Sequence, residues 1–530
     1  MNLLRSHRLW LAVILLFAGA VRLVLIDQPF SRNTEGFGSY YGVRARNFFR
    51  HDLSVHRGVP IQSVGIFDDM EPRFYHQHPP LVFWLVGLSY ATLGDGEWQT
   101  RLPSALFTLG SIYLIFHLLH RTGRTRAALL AAGLFAAMPM ALYFGGHVDC
   151  INSTLVFFVL LSIWLYLRLH ERPAWKNLAM LALGFAPAAM TDWPAFYLLP
   201  ILGLHYVVTK PPRDWVYIVG FGLIGCAFFA SIYAHIAIHV DDWRWMSDKL
   251  HRRTLSSEAD KTGAFTLGDW LVTAARYNIA QHTRPVLLLG FLWLILFAWR
   301  IKRIDPAATT TRLVFAFAAL HVIIGKQAVL VHEWWWWPVT AALALAAGLM
   351  IDWILESISK ALVGASETRP MSPIVLPIAI ACVVLFAAWN TQSIMRYFFD
   401  PKYTQGPMNF STVEFGEAIR RAAPTANTAV AIAYDNRYDL PLWFYGDRPL
   451  KFGVWDIHTL QRRMTDGRVD LPYGDHHAWP AAPVALVIPK VWVKFIPVFV
   501  QDLQHRYPAD ETEKFLIFRL TSPPGTQPIE

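Results

Sequence analysis

The chain is punctuated by apolar stretches too long and too poor in charge for a water-soluble core. The stretches lie at roughly 9–26, 101–120, 127–145, 151–167, 177–191, 193–209, 215–239, 285–299, 312–331, 335–355 and 373–395. About 20 apolar helical residues span the roughly 30 Å hydrocarbon core of a bilayer. In lipid, only a helix or a closed barrel satisfies its own backbone. The expected fold is therefore all-α and membrane-embedded, with about eleven transmembrane helices. Composition agrees: of 530 residues, 54% are hydrophobic and only 16% charged, against about 25% charged in a soluble domain.

The net charge of +9 has a topogenic reading, because most Lys and Arg sit in short loops between apolar runs; a nucleic-acid partner is not expected. Residues 79–94 are apolar but short, and they open with two prolines. If they do not cross, the loops with Arg121/Arg124/Arg126, Arg168/Arg172/Lys176, Lys210/Arg213 and Arg300/Lys302/Arg303 all fall inside, together with Arg5 and Arg8. The loops at 145–150, 191–193 and 332–337 then fall outside and contain no Lys or Arg, as the positive-inside rule requires. The expected topology has a cytoplasmic N-terminus, an uncleaved first span and an external C-terminus. Cys150, Cys226 and Cys382 lie far apart in or beside apolar segments, as small core residues do.

This topology divides the chain into a membrane module, 1–398, with outer loops at about 27–100 and 241–284, and a soluble outer α/β domain, 399–530. In the latter, 411–422 has helical spacing, and 429–433, 484–488 and 515–520 read as strands.

Polar residues beside a membrane face need partners or work, and here they crowd the outer side. Glu35 ends the string Ser31-Arg32-Asn33-Thr34-Glu35. Residues 39–50, with Tyr40, Tyr41, Arg44, Arg46 and Arg50, form an amphipathic pattern suited either to anionic lipid or to a site. His76 and His78 have metal-ligand spacing on a strand, so a divalent ion is a candidate cofactor there. Asp192 precedes Trp-Pro, where it caps a helix or serves a site. Glu333 adjoins His332 and the four tryptophans at 334–337, an interfacial aromatic belt on the simplest reading. Asp149 stands out as a lone carboxylate in a short turn between two apolar helices.

These strings, in this order, resemble the bacterial polyprenyl-phosphate-sugar-dependent membrane glycosyltransferases of GT-C fold, relatives of protein O-mannosyltransferases and the lipid A aminoarabinose transferase. The resemblance rests on Tyr40-Tyr41 through Ala45-Arg46-Asn47-Phe48, on His78-Pro79-Pro80-Leu81, and on Glu97-Trp98 with Arg101-Leu102-Pro103-Ser104-Ala105-Leu106. It extends to Phe144-Gly145-Gly146-His147-Val148-Asp149 and Thr191-Asp192-Trp193-Pro194. It covers about residues 1–350 and implies an enzyme of the bacterial inner membrane. The family usually carries an Asp–Glu pair just after the first helix. Here the pair reads Thr34-Glu35, with Asp68, Asp69 and Glu71 as other acids of the same loop.

The resemblance implies an inverting transfer of a sugar from a polyprenyl phosphate to a hydroxyl of an envelope acceptor, whether protein, lipid or glycan. Glu35 and Asp149 are the candidate acids: one the base, the other orienting the acceptor or holding a cation. Arg44, Arg46, His78, Arg101 and His332 are candidates for the phosphate leaving group, with Asp192 and Glu333 as further substrate contacts. The rival reading is a secondary transporter or lipid flippase. Such proteins place charge near mid-membrane and often repeat one half, whereas here the polar residues crowd one face and no halves repeat.

Overall fold

The computed structural model describes residues 6–30, 36–65, 72–148, 150–250, 266–298, 305–363, most of 382–394, 410–435, 439–471, 476–479 and 481–520. The chain divides into two compact units. One comprises Met1–Ile26 and Arg101–Met395; the other comprises Asp27–Thr100 and Arg396–Glu530. The first loop thus belongs to the same unit as the tail.

The first unit is helical. Among the described residues five helices are long and apolar enough to cross a membrane: Glu97–His120, Cys150–Glu171, Pro212–Val240, Pro306–Ile324 and Glu333–Ile358. The number rises to seven if each of two bent pairs is one span. One pair, Thr125–Ala137 with Pro139–His147, turns by 64°. There Met138 is extended and Pro139 opens the next helix, since proline cannot donate to the preceding turn. The other, Leu267–His282 with Arg284–Phe297, turns by 105° at Thr283, which has φ +68°. The remaining expected spans are shorter helices, such as His7–Leu23 and Trp175–Ala189, and the stretch at 373–395 lies mostly outside the described residues.

The second unit is built on a seven-stranded mixed sheet in the order β4-β3-β2-β1-β5-β7-β6. The strands are β1 Val430–Ile432, β2 Leu450–Lys451, β3 Arg468–Asp470, β4 His476–Ala478, β5 Ala485–Pro489, β6 Ala509–Glu511 and β7 Phe515–Arg519. Central β1 runs parallel to β2 and β5, with Val430 opposite both Leu450 and Ala485; the other pairs are antiparallel. All five β5 residues are buried, as expected of a strand covered on both faces. The helix Thr412–Ala422 starts at a capping box between Ser411 and Glu414. A core joins Ala431, Leu486, Ile488 and Phe518 of the sheet to Val454, Leu460 and Leu503.

Three helices of this unit matter for the site. Gly36–Arg50 packs against Leu81–Leu93 and against the tail helix Leu440–Gly446. Leu81–Leu93 has 13 residues, about 20 Å at 1.5 Å per residue, too short to cross a bilayer. The reading of 39–50 as a helix lying freely on lipid needs correction: ten residues of Gly36–Arg50 are buried, among them Tyr40, Tyr41 and Arg44.

Candidate functional site

In the membrane unit the candidate Arg101, with Arg22 and Thr108, binds the backbone around the turn that precedes Asp149 in sequence. Phe144–Val148 is a π-helical turn. Such a turn loosens the α-helical hydrogen-bond ladder and recurs at functional sites. Side chains from elsewhere take up the backbone oxygens around it. Thr108 Oγ1 donates to Gly145 O at 2.8 Å, Arg101 Nε donates to His147 O at 3.4 Å, and Arg22 Nη2 donates to Ala141 O at 2.8 Å. The glycine pair follows from this crowding. A Cβ at Gly145 would lie 2.8 Å from Thr108 Oγ1 and 2.9 Å from Trp337, and one at Gly146 would lie 3.2 Å from Arg22 Cγ.

The same side chains close the end of the first helix. Leu25 has φ +53°, a conformation that costs a non-glycine residue about 1–2 kcal/mol. Arg101 Nη1 donates to Ile26 O at 2.7 Å, and His147 Nε2 lies 3.0 Å from Val24 O. Arg101, read from the sequence as a phosphate ligand, is 1% exposed and joins two backbone segments. Arg22, the one charged residue within the first apolar stretch 9–26, is 1% exposed. Its Nη1 bonds Ala18 O, and its Nε has no hydrogen-bond partner among the described residues. Its lone charge in an apolar helix was the available signal; its partner was not.

Asp192 is 2% exposed, and its Oδ1 accepts from Trp193 N–H at 2.8 Å, capping the 3-10 helix Trp193–Tyr197. Glu333 Oε2 accepts from Gln281 Nε2 at 2.9 Å. The His332 ring stacks on Trp334 with centroids 4.7 Å apart, and Trp334 meets Phe144 of the π-turn at 6.1 Å. The aromatic-belt reading of 334–337 needs correction: Trp334, Trp336 and Trp337 are buried, because the π-turn and the Val329 carbonyl pack against them.

In the second unit Arg44 is sandwiched by tyrosines. Its guanidinium carbon lies 3.3 Å from the Tyr40 ring centroid and 4.5 Å from that of Tyr75; Nη1 donates to Tyr40 O, and Nε has no hydrogen-bond partner among the described residues. The His78 ring stacks on Tyr75 at 6.1 Å. Arg44 and His78 are thereby brought together through Tyr75. Arg46 has a different task. It forms an ion pair with Asp95, lies 3.8 Å from Asp447, donates to Phe444 O at 2.6 Å and stacks on the Phe444 ring. Burial alone would lower its pKa, but Asp95 and Asp447 outweigh it and hold the guanidinium above its ordinary value. Arg50 completes the knot by pairing with Asp447 at 2.7 Å.

His76 and His78 do not sit on the expected strand. The local pairing is one bridge, Ile61 to Phe74, followed by a bend at 77–78. Among the described residues no group of three or more His, Cys, Asp or Glu could hold a metal ion. Glu35 and Asp149, with Asp68, Asp69 and Glu71, lie outside the described residues.

Comparison with known proteins adds an independent line. Residues 77–238 match the family model for dolichyl-phosphate-mannose-protein mannosyltransferase. The chain is 30% identical over 134 residues to YycA of Bacillus subtilis, which is 25% of this chain and 19% of that one. It is 26% identical over 210 residues to the undecaprenyl phosphate-alpha-4-amino-4-deoxy-L-arabinose arabinosyl transferase of Pseudomonas aeruginosa, 36% of this chain and 37% of that one. The matches thus span well under half the length of these relatives. In three dimensions, the chain superposes on ArnT from Cupriavidus metallidurans bound to undecaprenyl phosphate with a TM-score of 0.65 at 15% identity, over 98% of this chain and 99% of that one. The apo form of the same protein gives 0.59. The family resemblance read from the sequence is thereby borne out, and the fold is of the ArnT type.

Proposed function

We propose that this chain is a membrane glycosyltransferase that moves one sugar from a polyprenyl phosphate to a hydroxyl of an envelope acceptor on the outer face of a bacterial inner membrane. One observation carries the reading. The family match at 77–238 contains His78, Arg101 and Asp149, and it falls within a chain whose whole length follows the ArnT fold. A lipid-borne donor also suits the architecture, since its tail stays in the bilayer while its head group reaches polar outer residues.

In the proposed reaction the acceptor oxygen attacks the anomeric carbon and the bond from that carbon to the phosphate oxygen breaks. The acceptor proton passes to a carboxylate, Asp149 or Glu35, and the lipid leaves as a phosphate anion. A single displacement inverts the anomeric centre. Arg44 and His78, joined through Tyr75, are suited to the phosphate: a guanidinium and an imidazole N–H donate to its oxygens as charge develops. Arg22, Arg101 and His147 have the separate job of fixing the turn Phe144–Val148, which precedes Asp149 in sequence. Arg46 supports the fold.

The test is transfer by Asp149→Asn and Glu35→Gln proteins, with expression as the control. The reading expects sugar transfer to vanish in Asp149→Asn while membrane levels hold. Full activity in both variants would remove the carboxylates from the mechanism.

A further inference from the structure

The tail holds both backbone hydrogen-bonding groups of Phe30, just past the end of the first helix. Phe30 N–H donates to the hydroxyl of Tyr445 at 2.7 Å. Thr412 Oγ1 donates to Phe30 O at 3.1 Å. The Tyr445 hydroxyl then donates its own proton to Glu97 Oε1 at 2.7 Å. One phenol therefore bridges the segment leaving the first helix and the glutamate of the Glu97-Trp98 motif. Phe30 is 1% exposed, and its ring meets Phe444 edge-on at 5.0 Å.

The helix that supplies Tyr445 is itself tightly located. Leu440–Gly446 packs on Gly36–Arg50, where a Cβ at Gly42 would come within 2.6 Å of the Phe444 ring and of Tyr90 Oη. A Cβ at Gly416 would strike Tyr445 and lie 2.8 Å from Gly446 N. Arg46 and Arg50 bind the end of the same helix through Phe444 O and Asp447. Tyr445 is thus held from two sides by packing and reaches two targets with one hydroxyl, as a group that sets geometry for others does.

We infer that Tyr445, assisted by Thr412, is a positioning residue for sugar transfer, acting through Phe30 and Glu97, and that the tail is a working part of the transferase. The inference rests on the proposed function. In sequence Phe30 lies five residues before Glu35, and displacements of about 1 Å at such supports cost on the order of 100-fold in rate.

The experiment uses full-length Tyr445→Phe and Thr412→Val proteins in detergent, with Tyr434→Phe as control. That control removes a buried hydroxyl bond to Asp439 within the tail. Turnover is measured with the polyprenyl-phosphate-sugar fraction as donor and the envelope fraction as acceptor, both extracted from cells lacking the gene, and hydrogen exchange is followed in peptides across 24–38, 484–489 and 515–519. The expected result for Tyr445→Phe is a 10-fold or greater fall in kcat with KM within twofold. Exchange at 24–38 rises, the sheet peptides stay protected, and Tyr434→Phe keeps its kcat. Unchanged exchange at 24–38, unchanged kcat, or exchange raised equally in the sheet would each overturn the inference. If Tyr445→Phe does not fold, Thr412→Val is read by the same criteria. If the wild-type protein transfers nothing from that fraction, the proposed function fails, and the exchange at 24–38 still decides whether Tyr445 fixes the loop.

Discussion

The guanidinium of Arg22 donates to the carbonyl oxygen of Ala141 at 2.8 Å, joining residues 119 positions apart in sequence. This bond ties the first helix to the bent segment that leads into the π-turn before Asp149. Arg22 Nη1 also bonds Ala18 O, so the charge is neutralised by backbone dipoles rather than by an acid among its hydrogen-bond partners.

Replacing Arg22 by Met leaves the Ala141 oxygen without that donor in a low-dielectric setting, at a cost of about 1–3 kcal/mol. Arg22→Lys recovers only part, because an ammonium lacks the rigid fork that reaches two carbonyls. Gly145→Ala costs about as much by overpacking, and Gly203→Ala, whose Cβ would meet nothing within 4 Å, is close to neutral. Unfolding midpoints in detergent check the order.

Arg46→Ala removes the ion pair to Asp95 and the bond to Phe444 O, and it leaves Asp447 with Arg50 alone. The expected loss is about 2 kcal/mol in the unit formed by the first loop and tail, seen as faster limited proteolysis there. Arg44→Gln, by contrast, is expected to lower transfer with little change in proteolysis. Equal effects of the two variants on both measurements would contradict the division of labour.

Acid should weaken the sheet-bearing unit in two stages. Burial, then Arg73, holds His477 below its ordinary value of 6.5, so the unfolded chain takes up a proton that the folded chain refuses. Stability from this residue is present above about pH 6.5 and is lost as pH falls toward the folded pKa. Burial raises the Asp466 pKa, but hydrogen bonds from Lys451, the Arg468 N–H and Arg463 outweigh it and hold the carboxyl below 3.8. Glu414, likewise raised by burial, is held below 4.5 by Lys514 and Ser411. Their stabilisation is present above the ordinary carboxylate range and is lost as pH falls through the lowered values. His477→Gln should flatten the first stage and leave the second, which a proteolysis midpoint measured against pH resolves.

The proposed topology places the tail outside. An alkaline phosphatase fusion at Glu530 is expected to be active, and a bright cytoplasmic-type fluorescent fusion at the same position would contradict it.

The helical membrane class was legible because apolar length is a local property. So were Thr412–Ala422, β1, β5 and β7, whose residues alternate or cluster in the expected manner. The exposed edge strand β6, with Asp510 and Glu511, carries no apolar signal, and β2 has only two residues. The bend at Pro139 cuts the expected span 127–145 into two helices, and the helix Leu267–His282 lies in the expected outer loop 241–284; hydropathy alone registers neither. Candidate residues were found by type and position, but their duties were not. Arg44 and Arg46 stand two positions apart, yet one lies between tyrosines and the other in an ion-pair knot with the tail. That difference depends on Asp447 and Phe444, some 400 residues downstream, which no local pattern reports. The union of the first loop with the tail was hidden for the same reason.

The most direct test of the central claim is mass spectrometry of lipid-linked sugars and envelope glycans in cells with and without the gene. The account predicts that one polyprenyl-phosphate-sugar accumulates on deletion, that one glycan loses the same sugar, and that wild-type protein but not Asp149→Asn reverses both. Identical lipid and glycan profiles in the two strains would contradict it.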